Sequence, residues 1–189
     1  VSSSRFRESR LKGTNGWGKT MLMRAISGLI LPTVGKVIID GKEIGKDISF
    51  PENMGLLLEY PSFINGYSGL KNLEMIASIK NNISVDDVKA CISRVGLDPD
   101  DKKPFRKYSL GMKQKLGIAC AIMENPELLI LDEPFNALDE KGISIIKDII
   151  EEFRDNGAIV IMSCHDKELL CDISDVIIDM YEGKVTNES

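Results

Sequence analysis

The sequence predicts an α/β protein with a largely parallel sheet and a helical lobe inserted between two of its strands. Three observations carry that expectation. Short apolar runs at residues 54–59, 128–131, 158–162 and 175–180 alternate with stretches whose apolar residues recur at helical spacing. Leu128-Leu129-Ile130-Leu131 runs directly into Asp132-Glu133-Pro134, which suits a strand buried on both faces that delivers two acids at its carboxyl end, where open α/β sheets bind ligands. Finally, Gly13-Thr14-Asn15-Gly16-Trp17-Gly18-Lys19-Thr20 fits G-x-x-x-x-G-K-[ST] at every specified position.

The 189 residues, 43% hydrophobic and 28% charged, are enough for one sizeable core. No apolar run reaches the ~18 residues of a membrane span, and no charged-then-apolar leader is seen. The expectation is a cytoplasmic protein that reaches a membrane only through a partner. A net charge of -5 offers no electrostatic footprint for nucleic acid, so none is expected as a partner. Cys91, Cys120, Cys164 and Cys171 form no C-x-x-C pair and read as reduced core residues rather than metal ligands.

In chain order, residues 1–12 set four basic side chains against one acid and show neither period, so they are expected to be disordered or non-native. As a strand, residues 5–12 would carry charge on both faces. They are therefore expected to stay out of the sheet, leaving the chain impaired in function and low in stability. Residues 13–189 are read as the domain proper. A helix is expected at 21–29, a hairpin with an Asp40-Gly41 turn at 37–44, and a strand at 54–59 followed by an exposed loop at 61–67. A helical lobe spans about 62–124. Its helices lie at 69–80, at 84–95 with Ser84 as N-cap and Asp87 three residues on, and at 109–123. Ile143, Ile146, Ile150 and Phe153 mark a covering helix closed by Asn156-Gly157. The strand at 158–162 leads to His165, the only histidine, and strands at 175–180 and 184–185 finish the chain.

Chemistry follows from these placements. A glycine-rich nest turns its N–H groups toward phosphate oxygens, Lys19 reaches the β and γ phosphates, Thr20 offers a hydroxyl to Mg²⁺, and the helix N-terminus adds positive charge. Asp132 can hold Mg²⁺ through water, and Glu133 can orient or deprotonate an attacking water. Two solvated acids at a strand end would be the blander reading of Asp132-Glu133 taken alone.

From Gly13 to Val185 the chain resembles the nucleotide-binding subunits of ATP-binding cassette (ABC) transporters, nearest the bacterial exporters of drugs or peptide antibiotics. Residues 13–20 resemble the Walker A loop, 128–133 the Walker B strand and 136–139 the D-loop. Tyr108-Ser109-Leu110-Gly111-Met112 stands where the family usually has Leu-Ser-Gly-Gly-Gln. The resemblance implies a P-loop ATPase that binds ATP and Mg²⁺. It assigns Gly13, Asn15, Gly16, Gly18, Lys19 and Thr20 to the nucleotide in cis, and Ser109, Gly111 and Asp139 to the nucleotide of a second cassette. It makes Thr20, Asp132 and Glu59 the metal-side residues, and Glu133, His165 and Glu59 the catalytic ones. It also implies a homo- or heterodimer sandwiching ATP, and a transmembrane permease docked on the helical lobe and the 61–67 loop, which holds the subunit on the inner face of the cell membrane.

The chain departs from the pattern in places. Glu59 replaces the usual Gln, Leu110 and Met112 replace Gly and Gln, Trp17 fills a position usually small, and the N-terminal β-lobe with its adenine-stacking aromatic has no counterpart. Two other functions compete. A DNA-repair or ribosomal ATPase is disfavoured: about fifty residues between Glu59 and Ser109 are too few for the two long hinged helices of DNA-repair relatives, and ribosomal relatives usually carry two cassettes where this chain has one. A truncated cassette that no longer turns over ATP is the better supported of the two.

Overall fold

The computed structural model describes residues 8–12, 18–59, 61–164, 176–182 and 184–188. Six strands form one sheet in the order β4 (Met54–Leu57), β5 (Leu128–Asp132), β6 (Ile159–Ser163), β1 (Glu8–Lys12), β7 (Val176–Tyr181) and β8 (Lys184–Glu188). All neighbours pair in parallel except β7 with β8, which are antiparallel. A separate two-stranded hairpin, β2 (Ile38–Ile39) with β3 (Lys42–Glu43), sits on the Asp40-Gly41 turn as expected.

β5 explains why the sheet has this form. Every residue of it is buried, and its side chains alternate between two cores. Leu129 and Leu131 join Leu57, Val160 and Met162 on one face, while Leu128 and Ile130 join Met23 and Met180 on the other. At about 1.5–3 kcal/mol per buried Leu or Ile, the four apolar residues contribute on the order of 6–12 kcal/mol. That is comparable with the ~5–15 kcal/mol net stability of a whole domain, so β5 is fixed regardless of the acids it carries.

The helices obey their end signals. α1 (Lys19–Ile26) begins two residues earlier than expected, because Gly18, at φ 92, turns the chain straight into it. α2 (Gly69–Lys80) is capped by Ser68, and α3 (Val85–Arg94) by the reciprocal Ser84/Asp87 box. α4 (Leu110–Ile122) takes Ser109 as its cap and buries Leu116, Ile118, Ala119 and Ile122 in the larger core. α5 (Glu140–Asp155) is capped by Asp139 and buries Ile146, Ile149, Ile150 and Phe153 against the same sheet face. In the lobe, Phe105 meets Phe63 edge-on at 5.2 Å, and Gly69 N–H donates to the Tyr108 hydroxyl at 3.2 Å.

One expectation is overturned. Glu8–Lys12 does not stay out of the sheet but lies between β6 and β7, with Leu11 opposite both Ser163 and Ile178. The charge argument weighed side chains and neglected the main chain. A strand between two parallel strands satisfies N–H and C=O groups on both of its edges and on theirs, and leaving that slot empty would orphan all of them. The expectation of disorder for residues 1–7 falls outside the described residues.

Candidate active site

The carboxyl ends of three adjacent strands share one row. Asp132 of β5 lies opposite Ser163 of β6, which lies opposite Leu11 of β1. Beyond the end of β1 the chain enters residues 13–17, so the expected nucleotide contacts of Gly13, Asn15 and Gly16 and the position of Trp17 lie outside the described residues, as do His165 and Cys171. The rest of the predicted site can be placed.

α1 opens with Lys19 and Thr20. Lys19 is only 5% exposed, which sets a buried positive charge at the positive end of a helix and raises the local affinity for an anion. Thr20 Oγ1 donates to Asp132 Oδ2 at 2.7 Å. A hydroxyl and a carboxylate held side by side are hard oxygen donors, the set Mg²⁺ prefers when phosphates and water complete its shell. Among the described residues no group of three or more Asp, Glu, His or Cys could hold a metal by itself. The Thr20 hydroxyl and the Asp132 carboxylate, held together at 2.7 Å, fit a Mg²⁺ that arrives with a nucleotide.

Glu133 leaves the strand at φ 51, in the left-handed region. Such a turn in a non-glycine residue persists only where its surroundings hold it. Here the Glu133 N–H donates to Ser163 Oγ at 3.1 Å, and buried Gln114 of α4 donates through Nε2 to the Glu133 carbonyl at 3.0 Å. Glu59 lies just past β4, also left-handed at φ 57, and pairs with Arg24 of α1 at 2.6 Å. It thus stands at the same end of the sheet as Asp132, tied to the helix that carries Lys19 and Thr20.

Ser109, Gly111 and Asp139 gather elsewhere. They line a cleft of about 520 Å³ with Leu110, Met112, Lys115, Ala137 and Leu138. Ser109 Oγ accepts the Met112 N–H at 3.2 Å, and Asp139 Oδ1 accepts the Gly142 N–H at 2.9 Å. Gly111 has a packing reason to be glycine: a Cβ there would lie 2.6 Å from the Ala137 carbonyl oxygen. Among the described residues no hydrogen bond links this cleft to Thr20 or Asp132, but Gln114 joins the helix that carries it to the Glu133 backbone. Ser163, Gln114 and Arg24 were not foreseen. Only the serine left a signal, as a polar residue closing the apolar run of β6.

Cys91, Cys120 and Cys164 are reduced cysteines in or against the core, as expected. Among the described residues no helix is long and apolar enough to cross a membrane.

The ABC transporter family matches residues 4–136. An ABC transporter ATP-binding protein of Bacillus subtilis (strain 168), YybJ, is 45% identical over 93% of this chain and 80% of its own length. The bacitracin transport ATP-binding protein BcrA of Enterococcus faecalis is 40% identical over 94% of this chain, which spans only 58% of that protein. The lantibiotic transport ATP-binding protein SrtF of Streptococcus pyogenes is 36% identical, with 94% and 76% covered. Among solved structures, the dimeric ATP-binding cassette MJ0796 bound to ADP and Pi superposes with a TM-score of 0.86 at 22% identity, covering 97% of this chain and 84% of that one. With the Walker-type pairing of Thr20 and Asp132 in place, the chain belongs to the ABC transporter family as one of its ATP-binding cassettes.

Proposed function

We propose that this chain hydrolyses ATP to drive a separate transmembrane permease, as one of two cassettes that sandwich the nucleotide. The observation that carries the reading is the 2.7 Å contact between Thr20 and Asp132 with Glu133 as the next residue. It sets a metal-side pair beside a carboxylate able to accept a proton from water. Thr20 and Asp132 would hold a Mg²⁺ that arrives with ATP, and the ion would supply positive charge against that developing on the phosphates. The protein's own part is positional. Lys19 offers its ammonium to the phosphates, Thr20 and Asp132 offer hard oxygens, and Glu133 orients the attacking water and takes its proton. His165 is assigned to the γ phosphate. Glu59 is assigned as a second carboxylate on the metal side, released from Arg24 when nucleotide binds.

The cleft of Ser109, Gly111 and Asp139 addresses the nucleotide of the opposing cassette. Leu110, at its rim, is 62% exposed. The permease would dock on the helical lobe, where Ile64, Tyr67, Met75 and Ile79 are exposed apolar residues on and near the 61–67 loop. Asn72 holds that loop from within, accepting the Ile64 N–H at 2.8 Å and donating to the Ile64 and Ser68 carbonyls. Docking of this kind would place the subunit at the inner face of the membrane. The names of the bacitracin and lantibiotic relatives favour a peptide antibiotic as cargo and export as the direction.

Turnover measurements test the assignment. Glu133→Gln should keep ATP–Mg²⁺ binding by calorimetric titration while hydrolysis falls by about two orders of magnitude or more, as for a lost general base. Near-normal turnover would move the role elsewhere, with Glu59 next in line.

A further inference from the structure

We infer that Ser163 is a positioning residue for ATP hydrolysis, setting the geometry of Asp132 and Glu133 together. The hydroxyl is fully buried at the last position of β6, in a strand otherwise packed by Val160 and Met162. It donates to Asp132 Oδ1 at 2.5 Å and accepts the Glu133 N–H at 3.1 Å, and its oxygen lies 3.4 Å from Glu133 Oε1. Thr20 holds the other oxygen of Asp132. The carboxylate is thus fixed at both oxygens by hydroxyls from two different elements, with no freedom left in its terminal torsion.

The same hydroxyl helps hold the left-handed backbone of Glu133, together with Gln114 and with the Asn136 N–H, which donates to the Glu133 carbonyl at 3.2 Å. Its proton and lone pair are committed in one direction, from amide N–H to hydroxyl to carboxylate, and each bond in such a chain polarises the next. A buried serine that merely satisfied itself could bond a main-chain carbonyl of a neighbouring strand. This one instead spans the metal-side acid and the residue that carries the base. Groups that orient the residues in contact with a metal or substrate typically contribute 10–100-fold to function.

The inference rests on Glu133 being the general base, so the test separates the two claims. In the full chain, Ser163→Ala should lower kcat by about 10- to 100-fold, with KM for ATP and the calorimetric affinity for ATP–Mg²⁺ changed by less than about threefold. In the Glu133→Gln background the same substitution should lower the residual rate by a clearly smaller factor than in the parent, because the base it positions is already gone and only Asp132 remains to be misplaced. Ser163→Cys, which puts a somewhat larger and only weakly hydrogen-bonding sulfur in the place of the hydroxyl, is read in place of alanine if the alanine variant does not fold. A kcat within twofold of the parent overturns the inference. So does a loss of ATP affinity and melting temperature in step with kcat, or a full multiplicative loss in the double variant. Normal turnover by Glu133→Gln alone would instead sink the general-base reading.

Discussion

Gly111→Ala pits a gain in local helix propensity against a backbone collision, and the distances decide the sign. Gly111 is the second residue of α4, where alanine is intrinsically better by up to about 1 kcal/mol. Its Cβ, however, would lie 2.6 Å from the Ala137 carbonyl oxygen and 4.0 Å from Leu138 Cδ2. A carbon and a carbonyl oxygen cannot approach so closely, and the obstacle is main chain, so no rotamer change relieves it. The loop of residues 136–139 must retreat from α4 by several tenths of an ångström. That loop already holds Ala137 in the left-handed region at φ 61. Overpacking of this kind costs typically about 1–3 kcal/mol. Even after the full propensity gain, a net loss of up to about 2 kcal/mol remains, or a fall of up to about 8 °C in melting temperature for a chain of this size. The variant should also lose ATP-dependent pairing of cassettes while binding nucleotide normally in cis, because the displaced loop is one wall of the Ser109 cleft. A thermal melt with calorimetric titration checks both halves. A melting temperature at or above that of the parent would refute the packing argument.

Lys19→Ala should abolish ATP–Mg²⁺ binding itself, since the ammonium offsets phosphate charge that backbone groups cannot offset alone; retained micromolar affinity by calorimetry would argue against this assignment. Asn72→Ala should destabilise by about 1–3 kcal/mol, the cost of unpartnered main-chain groups, and speed amide exchange in the 61–67 loop while ATP affinity is unchanged. Burial, assisted by the Glu124 carboxylate, pushes the Cys120 thiol up to about 11 from its ordinary 9.0. The folded state therefore retains a proton that the unfolded chain releases. The associated stability is fully present below about pH 9 and is lost as pH rises toward 11, and Cys120 in the native protein should resist alkylation at pH 8.

Much of this fold was legible because its signals are local. The apolar run of β5, the Ser84/Asp87 box and the isoleucine stripe of α5 each speak within a few residues of sequence, and each is found where expected. The acids at the end of β5 were legible for the same reason. Glu8–Lys12 was misjudged because a strand can be specified by the edges of its neighbours, β6 and β7, and those lie more than 140 residues away in the chain. Contacts between side chains were also out of reach. Ser163 with Asp132, Gln114 with the Glu133 carbonyl, and Arg24 with Glu59 join positions 31, 19 and 35 residues apart, and only the fold brings them together. Gly111 was assigned to the nucleotide by resemblance, and nothing in the sequence revealed its contact with the loop at Ala137.

In the proposed mechanism this chain carries one half of a composite ATP site, with Thr20, Asp132 and Glu133 on one surface and Ser109, Gly111 and Asp139 on another. Sedimentation of the Glu133→Gln protein, with and without ATP–Mg²⁺, tests it most directly. A composite site predicts a monomer without nucleotide and a dimer at saturating ATP–Mg²⁺, with the dimer lost when Ser109→Arg is added to fill the cleft while affinity for ATP is unchanged. A Glu133→Gln protein that stays monomeric at saturating ATP–Mg²⁺, or a dimer that Ser109→Arg leaves intact, would contradict it.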